Sequence, residues 1–528
     1  MQVDRQVLAR VGWGLAVAGA CQWGSAHAQA DTSGAGDLSM ASGEQRGGTP
    51  RSAPIAWRLD TSVMVSDNLG ARTSAEGKDA GLLLRVAPGV RYAHKGGSAQ
   101  WLVDYTLQGQ RFVRTAQQGE PFQNSLRASG SAELIGAALT LDGQASVAQR
   151  TRSAFDVQRT LGESGLGETS EVATVSLGPN LRLRLGEAWR ASLKHSASVT
   201  RARGTSTGDA TGQNTQLGLE PVARARWTWG LSLSHQSSKP SDGRATDSSE
   251  ARVNLTWRPD VDWSVRSHAG RERTNLQSSS KVTAATYGVN ANWSPSARTR
   301  AQINGERRAI GSFHAISLDH RFSRAAIRLS DTRTVNQPGS VGSAAGTTNY
   351  DLYFAQLASQ APDPIDRDAL VRQRLAELGL SPDALVANGF LSSQPSVSRS
   401  RVLGLTYQQA RALWTLNLTK TRTSRLFGGG LGSEDLANSA FVDATSAQGG
   451  VTYRLSPSSA VRIQGSWQRN RGDNAALQRN ELRSLVLGWQ TRLGPHVQVL
   501  AGLRHSEFDS PTRPFTENAF LVNVQQQF

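Results

Sequence analysis

The sequence has very little cysteine and no long apolar run. Cys21 is the only cysteine among 528 residues, so no disulfide can form within the chain and stability must come from packing and hydrogen bonds. Hydrophobic residues make up 38% of the chain and the mean hydropathy is −0.41. A transmembrane helix needs roughly 18 or more consecutive apolar residues, and none is present. A helical membrane protein is excluded, whereas a membrane β-barrel is not, because only alternate strand residues face lipid.

Signatures of enzymes and metal sites are also missing. The histidines are scattered without the HExxH spacing of a zinc site, and no G-x-S-x-G nucleophile turn occurs. The run Gly428-Gly429-Gly430 lacks the lysine of a phosphate-binding loop. We therefore predict that the protein is not an enzyme, with no catalytic residues, no metal ligands and no cofactor.

The first 28 residues have the pattern of a secretory signal peptide. Arg5 and Arg10 precede a short apolar run over residues 11–20, and Ala26-His27-Ala28 is a small-x-small cleavage site. We predict a cleaved signal peptide over residues 1–28.

Two further predictions concern the residues around this cleavage site. Ala18-Gly19-Ala20-Cys21 is a degenerate lipobox, so lipidation of Cys21 stays open as an alternative to cleavage after Ala28. Residues 29–54 are rich in Ser, Gly, Ala and Thr without any period, which predicts a flexible periplasmic leader.

From Ile55 onward, apolar and polar residues alternate in runs of the length that a tilted strand needs to cross a bilayer. We count about 22 such runs (18–22), the first over 55–66 and the last over 518–528. Short links follow the even-numbered runs and longer polar links follow most odd-numbered ones, as periplasmic turns and extracellular loops do. The sequence predicts an all-β fold, a transmembrane up-and-down antiparallel barrel over residues 55–528 in the bacterial outer membrane.

The last predicted strand carries an apolar face that ends on an aromatic residue: Phe520, Val522, Val524 and Phe528. This face is similar to the C-terminal signal by which outer-membrane barrel assembly machinery recognises its substrates. We predict that machinery as a partner.

Residues 337–397 interrupt the strand pattern. Pro364 to Gly379 has the apolar spacing of an amphipathic helix, and a second short helical turn is expected between Ser381 and Gly389. The insert follows an odd-numbered strand, so we predict a helical loop insert on the extracellular side. It either covers the mouth, folds into the lumen, or packs as a surface loop without any gating role.

The chain is strongly basic, with a formal net charge of +16. An exported protein does not normally meet nucleic acid, so we predict outer-membrane lipid, lipopolysaccharide and anionic polysaccharide as partners. If the apolar residues face lipid, ten cations face the lumen: Arg182, Arg184, Arg190, Lys194, Arg252, Arg266, Arg300, Arg454, Arg462 and Arg504. They either form an anion pathway or brace a wide barrel through ion pairs.

The sequence resembles the outer-membrane barrel proteins associated with PEP-CTERM/exosortase systems. The resemblance rests on Ser66-Asp67-Asn68-Leu69, on Asp104-Tyr105-Thr106-Leu107, on the insert with Gly379-Leu380 and Gly389-Phe390, and on the basic strands between Tyr407 and Arg425. It implies an exopolysaccharide context and no assigned activity. The predicted function is a porin-like conduit for, or accessory to, export of anionic exopolysaccharide or related surface material. The alternative is a structural or surface-interaction barrel without transport activity.

Overall fold

The computed structural model describes residues 55–115, 120–156, 169–223, 225–338, 347–357, 361, 363–378, 382, 385–387, 389–428, 434–474 and 476–528. The predicted signal peptide, the predicted leader and Cys21 lie outside these residues. No helix within the described part of the chain has the length and apolar character needed to cross a membrane.

Twenty-two strands form one closed antiparallel sheet, in which each strand pairs with its sequence neighbour and the first pairs with the last. This confirms the predicted barrel and its strand number. The strands are β1 Ile55–Ser66, β2 Gly81–Lys95, β3 Ala99–Val113, β4 Phe122–Ile135, β5 Leu139–Thr151, β6 Thr169–Leu185, β7 Trp189–Ala202, β8 Ala210–Pro221, β9 Trp227–Pro240, β10 Thr246–Trp257, β11 Trp263–Thr274, β12 Val282–Ser296, β13 Thr299–Arg308, β14 Gly311–Arg321, β15 Ala325–Asn336, β18 Ser396–Gln408, β19 Ala412–Arg425, β20 Phe441–Arg454, β21 Ser459–Arg471, β22 Arg479–Arg492, β23 Val497–Asp509 and β24 Phe515–Gln527.

Alternate residues of each strand are apolar, and these form the outer surface of the barrel. Val253 and Leu255 on β10 are 55% and 48% exposed, whereas the intervening Arg252 and Asn254 point inward. Tryptophans pack against each other near the ends of neighbouring strands, as in the stacked pairs Trp227–Trp257 and Trp263–Trp293. Such aromatic rows mark the membrane–water interface of outer-membrane barrels.

Short and long connections alternate around the barrel. Links after even-numbered strands of the first fourteen are tight, such as 136–138 and 186–188, and the positive φ angles of Gly136 and Gly186 suit these turns. Most links on the opposite rim are longer, such as 67–80 and 152–168, although β13 and β14 are joined by a two-residue turn. Short turns are typical of the periplasmic rim and long loops of the extracellular rim.

The insert joins the extracellular ends of β15 and β18, as predicted. These two strands pair with each other as neighbours in the barrel sheet. Its described elements are β16 Thr347–Thr348, α1 Asn349–Gln356, α2 Pro364–Leu378 and β17 Leu385–Ala387. Helix α2 matches the predicted helix. The prediction of a second short helical turn between Ser381 and Gly389 is wrong for residues 385–387, because these residues form a strand that pairs with β16. A third short helix, α3 Asp435–Asn438, lies between β19 and β20.

Candidate functional site: a plugged lumen

Helices α1 and α2, called the plug here, lie inside the barrel between two separate parts of its wall. On one side the plug packs against Leu413 of β19, and on the other it binds inward-facing side chains of β2 and β3. Strands β20–β24 and β1 separate these two wall regions. The plug therefore crosses the lumen, so the open question about the insert is decided in favour of the lumen.

Both helices have N-terminal caps encoded in the sequence. Thr348 and Asp351 form a reciprocal capping pair, in which the Thr348 hydroxyl donates to the Asp351 carboxylate over 2.7 Å and accepts from the Asp351 N–H. Asp363 accepts hydrogen bonds from the N–H groups of Ile365 and Asp366 at the start of α2, where Pro364 occupies the first helical position.

An apolar core joins the two helices. Tyr350, Tyr353 and Leu357 of the α1 side pack with Val371 and Leu375 of α2, and all five are at least 94% buried. These residues explain why the polar lumen accepts the plug: its apolar stripe is covered by its own second helix and by the β19 wall.

A buried carboxylate, Asp368, fastens α2 to the wall. It is fully buried and accepts hydrogen bonds from Arg91 of β2 over 2.6 Å, from Arg372 of α2 over 3.0 Å and from the Tyr350 hydroxyl over 2.6 Å. The ring of Tyr350 also lies 4.3 Å from the guanidinium of Arg127 on β4. A buried carboxylate is stable only when it is paired in this way.

A second carboxylate, Asp104 of β3, continues the same network from the wall side. It is 6% exposed and forms ion pairs with Arg372 of the plug and, at 3.0 Å, with Arg58 of β1. Arg372 thus bridges a plug carboxylate and a wall carboxylate. We call Arg58, Arg91, Asp104, Asp368 and Arg372 the ion latch.

The plug extends to the periplasmic rim. Lys95, the last residue of β2, lies 2.8 Å from Asp363 and 3.5 Å from Asp366 at the N-terminus of α2. These side chains are partly or largely exposed, so solvent screens this contact and it contributes little to stability. It shows how deep the plug reaches, while the ion latch supplies the stronger attachment.

The extracellular end is covered by loops that fold inward. Phe390 of the insert packs with Ala154 of the β5–β6 loop and Leu436 of α3. Asp435 accepts hydrogen bonds from the Ala154 N–H over 2.6 Å and from the Ser153 hydroxyl over 2.7 Å. Burial raises the pKa of the Asp435 carboxyl above its ordinary value, although both hydrogen bonds favour the charged form.

A central cavity of about 920 Å³ remains between the plug, the loops and the wall. Its lining combines apolar side chains with many hydroxyl and amide groups, and its few charged residues are Arg127, Arg150 and Asp351. The hydroxyls come from Ser125, Ser129, Ser146, Thr174, Ser176, Thr200, Thr332, Thr334, Ser392, Ser396, Ser398, Ser400, Thr419, Thr421, Thr423 and Ser446, the amides from Gln144, Asn336, Gln337, Gln394 and Gln468, and the rings from Tyr350, Phe354 and Phe390. Hydroxyls, amides and aromatic faces together suit a polyhydroxylated ligand.

The strand alternation puts all ten predicted cations on inward positions, but none lines the central cavity. Arg190 and Arg266 line a periplasmic pocket of about 830 Å³, and Arg300 lines a neighbouring one of about 270 Å³. Arg252 and Arg504 form ion pairs with Glu306 at 2.9 Å and with Glu517 at 3.0 Å, and the pocket residue Arg266 also pairs with Glu220 at 3.2 Å. The other five predicted cations lie on the inward faces of β6, β7, β20 and β21: Arg182, Arg184, Lys194, Arg454 and Arg462.

Ion pairs of the kind expected of bracing arginines are present at Arg252, Arg266 and Arg504, whereas the anion pathway stays a prediction. Arg190, Arg266 and Arg300 line the periplasmic pockets beside carboxylates such as Glu220 and Asp319. Whether they select anions stays a prediction. Phe520, Val522 and Val524 lie on the lipid-facing side of β24, and Phe528 follows it, bonded through its N–H to Trp57. Their role in assembly also stays a prediction.

Sequence reasoning missed the ion latch. Asp104 is noted from the sequence only as part of the motif Asp104-Tyr105-Thr106-Leu107, and Asp368 and Arg372 look like ordinary surface charges of an amphipathic helix. One signal was available: Asp368 and Arg372 are four residues apart, on the polar side of a stripe that includes Val371 and Leu375. Groups of His, Cys, Asp or Glu able to hold a metal ion are not found in the described part of the chain.

No family model and no curated protein matches this chain. Among solved structures, the siderophore receptor PirA from Pseudomonas aeruginosa is similar at 7% identity, covering 90% of this chain and 80% of that one, with a TM-score of 0.42. The FrpB iron transporter from Neisseria meningitidis is 10% identical, covers 90% and 81%, and has a TM-score of 0.44. A BenF-like porin from Pseudomonas fluorescens is 8% identical, covers 90% and 99%, and has a TM-score of 0.35. These similarities concern the barrel fold alone.

Proposed function

We propose that the protein is an outer-membrane conduit that its own plug holds closed, and that it passes acidic, polyhydroxylated material such as exopolysaccharide from the periplasm outward. The observation that carries the proposal is the plug, which crosses the lumen and is held on its wall by the buried ion latch. A barrel that served only as a scaffold would have no need for a separate folded element inside its lumen.

The residues that line the periplasmic pockets and the central cavity support an acidic, polyhydroxylated cargo. Arginines at the periplasmic pockets attract acidic groups, because a guanidinium binds a carboxylate or phosphate with two parallel hydrogen bonds. Beyond them, the hydroxyl- and amide-rich central cavity offers hydrogen bonds to sugar hydroxyls without holding a charged polymer tightly. This order, from arginine-lined pockets to an interior with few charged side chains, lets an acidic polymer enter and still leave.

Opening of the lumen requires that the residues of the ion latch separate while the strands of the barrel stay paired. The latch is the only described contact between the plug and β2–β3 in which both partners are largely buried, so its release frees α2 from that wall. The contact with β19 is made through Leu413 and is apolar, so it does not depend on the latch. We infer that the plug swings or withdraws from the β1–β4 side first.

The test compares single-channel currents of the full barrel and of a variant in which residues 347–387 are replaced by a short Gly-Ser linker. The expected result is small or rare currents for the full barrel and large, anion-selective steps for the variant. A matched control removes residues 73–77 of the β1–β2 loop, where Thr73 and Glu76 bond to each other, and should conduct like the full barrel.

Absence of conductance in the plug-deleted variant would contradict the conduit and leave a structural or surface-interaction barrel as the function. Cation-selective steps would keep the conduit and contradict an acidic cargo. Efflux of an acidic oligosaccharide, compared with a neutral one of the same length, from liposomes that contain the plug-deleted barrel then tests the cargo class directly.

A further inference from the structure

A cluster of cations lies on the outside of the barrel, on the same strand faces as the lipid-facing apolar residues. On β19 this face runs from Trp414 through Leu416 and Leu418 to Lys420 and Arg422. On β18 it runs from Tyr407 through Leu405 and Leu403 to Arg401 and Arg399. Strand periodicity keeps these side chains on one face, so the cations continue the lipid-facing surface rather than the lumen.

The cluster extends across the neighbouring strands. We define the exterior cation patch as seven residues on β18, β19, β21 and β22: Arg399, Arg401, Lys420, Arg422, Arg469, Arg471 and Arg479. All lie toward the strand ends that carry the long loops, which are the extracellular ends. The patch therefore borders the outer leaflet of the membrane.

Three pairs within the patch place like charges directly opposite each other. Arg401 pairs in register with Lys420, Arg399 with Arg422, and Arg471 with Arg479. Opposed side chains on paired strands are about 4.5–5.5 Å apart at Cβ, and like charges at that spacing destabilise the sheet. A barrel that gained nothing from these cations would be more stable without them.

Carboxylates on the same surface neutralise only part of this charge. Asp331 binds Arg399 at 2.7 Å and Arg401 at 3.2 Å, and Asp443 lies 3.7 Å from Arg422. Glu481 lies opposite Arg469 in register and pairs with Arg483 at 2.6 Å. Among the described residues, no ion pair within 4.0 Å is found for Lys420, Arg471 and Arg479. The side chains of Arg401 and Arg422 are 52% and 54% exposed. Positive charge thus remains available to a partner outside the barrel.

We propose that the exterior cation patch binds the phosphorylated headgroup of an outer-leaflet glycolipid, with its acyl chains lying on Leu403, Leu416 and Leu418. Two features select this partner over a free anion or an acidic polymer. The patch is continuous with an exposed apolar surface, so the best-matched ligand joins acyl chains to an anionic head. Its position at the outer leaflet, above that apolar surface, is where phosphates of lipopolysaccharide lie. Arginine forks and a lysine point charge are suited to several phosphates.

This site is independent of the conduit, because the patch and the ion latch lie on opposite faces of the wall. It would anchor one side of the barrel, around β18–β22, to the lipopolysaccharide layer. Binding there relieves the like-charge pairs, so the ligand should stabilise the folded barrel.

The test uses the folded full barrel in detergent, titrated with lipid A and followed by native mass spectrometry and thermal unfolding. The double variant R401Q/K420Q removes one opposed pair. The matched control R324Q/R411Q removes two exposed cations from the periplasmic turns that join β14 to β15 and β18 to β19. Heat-modifiable migration on denaturing gels verifies that each variant is folded.

The expected result is that R401Q/K420Q weakens lipid A binding by at least about tenfold, while R324Q/R411Q binds like the unmodified barrel. Without lipid A, R401Q/K420Q should unfold at nearly the same temperature, since the variant removes both a repulsive pair and the exposed ion pair of Arg401 with Asp331. Addition of lipid A should then raise the unfolding temperature of the unmodified barrel more than that of R401Q/K420Q.

Three results would overturn the proposal. The first is equal lipid A binding by R401Q/K420Q and the unmodified barrel. The second is equal binding of phosphatidylglycerol, which would make the patch a general anionic-lipid surface. The third is displacement of lipid A by inorganic phosphate at millimolar concentration, which would show an anion site that does not use the apolar surface.

Discussion

Replacement of Asp368 by asparagine is expected to release the plug while the barrel stays intact. The amide would keep the size of the side chain but lose the charge that holds Arg91 and Arg372, both of which lie within 3.0 Å of the carboxylate. Removal of one partner from a buried ion pair typically costs about 3–5 kcal/mol, because the remaining charges stay buried without compensation. Even a cost of about 3 kcal/mol shifts the ratio of undocked to docked plug by about two orders of magnitude.

The matched control is Asp366→Asn on the same helix. Asp366 has a side chain that is 66% exposed and lies 3.5 Å from Lys95, so solvent screens its ion pair and the pair contributes little. Both variants lose one negative charge from α2, but only one of them disturbs the ion latch. Any effect of net plug charge alone would appear equally in both.

Two assays report the outcome. Hydrogen exchange over residues 364–378 should be faster in Asp368→Asn and unchanged in Asp366→Asn, because an undocked helix loses its protection. Single-channel recordings should show more frequent openings in Asp368→Asn at unchanged step size. Identical exchange and identical currents in the two variants would refute the reasoning that the buried latch holds the plug closed.

Three further predictions concern the entrance, the extracellular loops and the wall. In the plug-deleted barrel, replacement of Arg190, Arg266 and Arg300 by glutamine should lower the ratio of anion to cation permeability, measured from reversal potentials in a salt gradient. An unchanged ratio would contradict an entrance that selects anions through its arginines. Because the pKa of Asp435 is raised on folding, the contact with Ala154 is most stable below the unfolded carboxyl pKa and weakens as the pH rises through the folded one. Exchange of the Ala154 amide, corrected for its intrinsic rate, should therefore speed up as the pH rises above the ordinary carboxyl range, and a flat or opposite trend would contradict this sign. Gly270→Ala should destabilise the barrel by about 1–3 kcal/mol, since its Cβ would clash with the Ala251 carbonyl oxygen, whereas the Cβ of Gly305→Ala meets nothing within 4 Å. Equal loss of heat-modifiable barrel in the two variants would contradict this prediction.

The wall of the barrel was predictable because its physical rule is local. A residue that faces lipid must be apolar and its neighbours must not be, so alternation marks each strand without knowledge of its partner. Trp227, Trp229, Leu231 and Leu233 illustrate this on β9, and all four are exposed on the outer surface. Loop lengths then indicated which rim faces the periplasm.

The candidate site was not predictable to the same degree, because it depends on contacts that are distant in sequence. Arg91 meets Asp368 across 277 positions, and neither neighbourhood contains a sign of the other. Helix α1 was missed, since Asn349 to Gln356 has aromatic residues but no regular apolar period. Alternation identified inward positions for the ten cations, yet it gave no indication of which would be paired and which would line the entrance.

The most direct test of a plug-gated conduit is to lock and unlock the plug in one barrel while its current is recorded. Cys21 is the only cysteine in the sequence, so Lys95→Cys and Asp363→Cys would introduce the only thiols in the barrel. In an Asp368→Asn background, a short cleavable bis-maleimide between these positions should abolish the openings, and cleavage of the linker should restore them. Openings that persist with the cross-link in place would contradict the claim that movement of the plug opens the lumen.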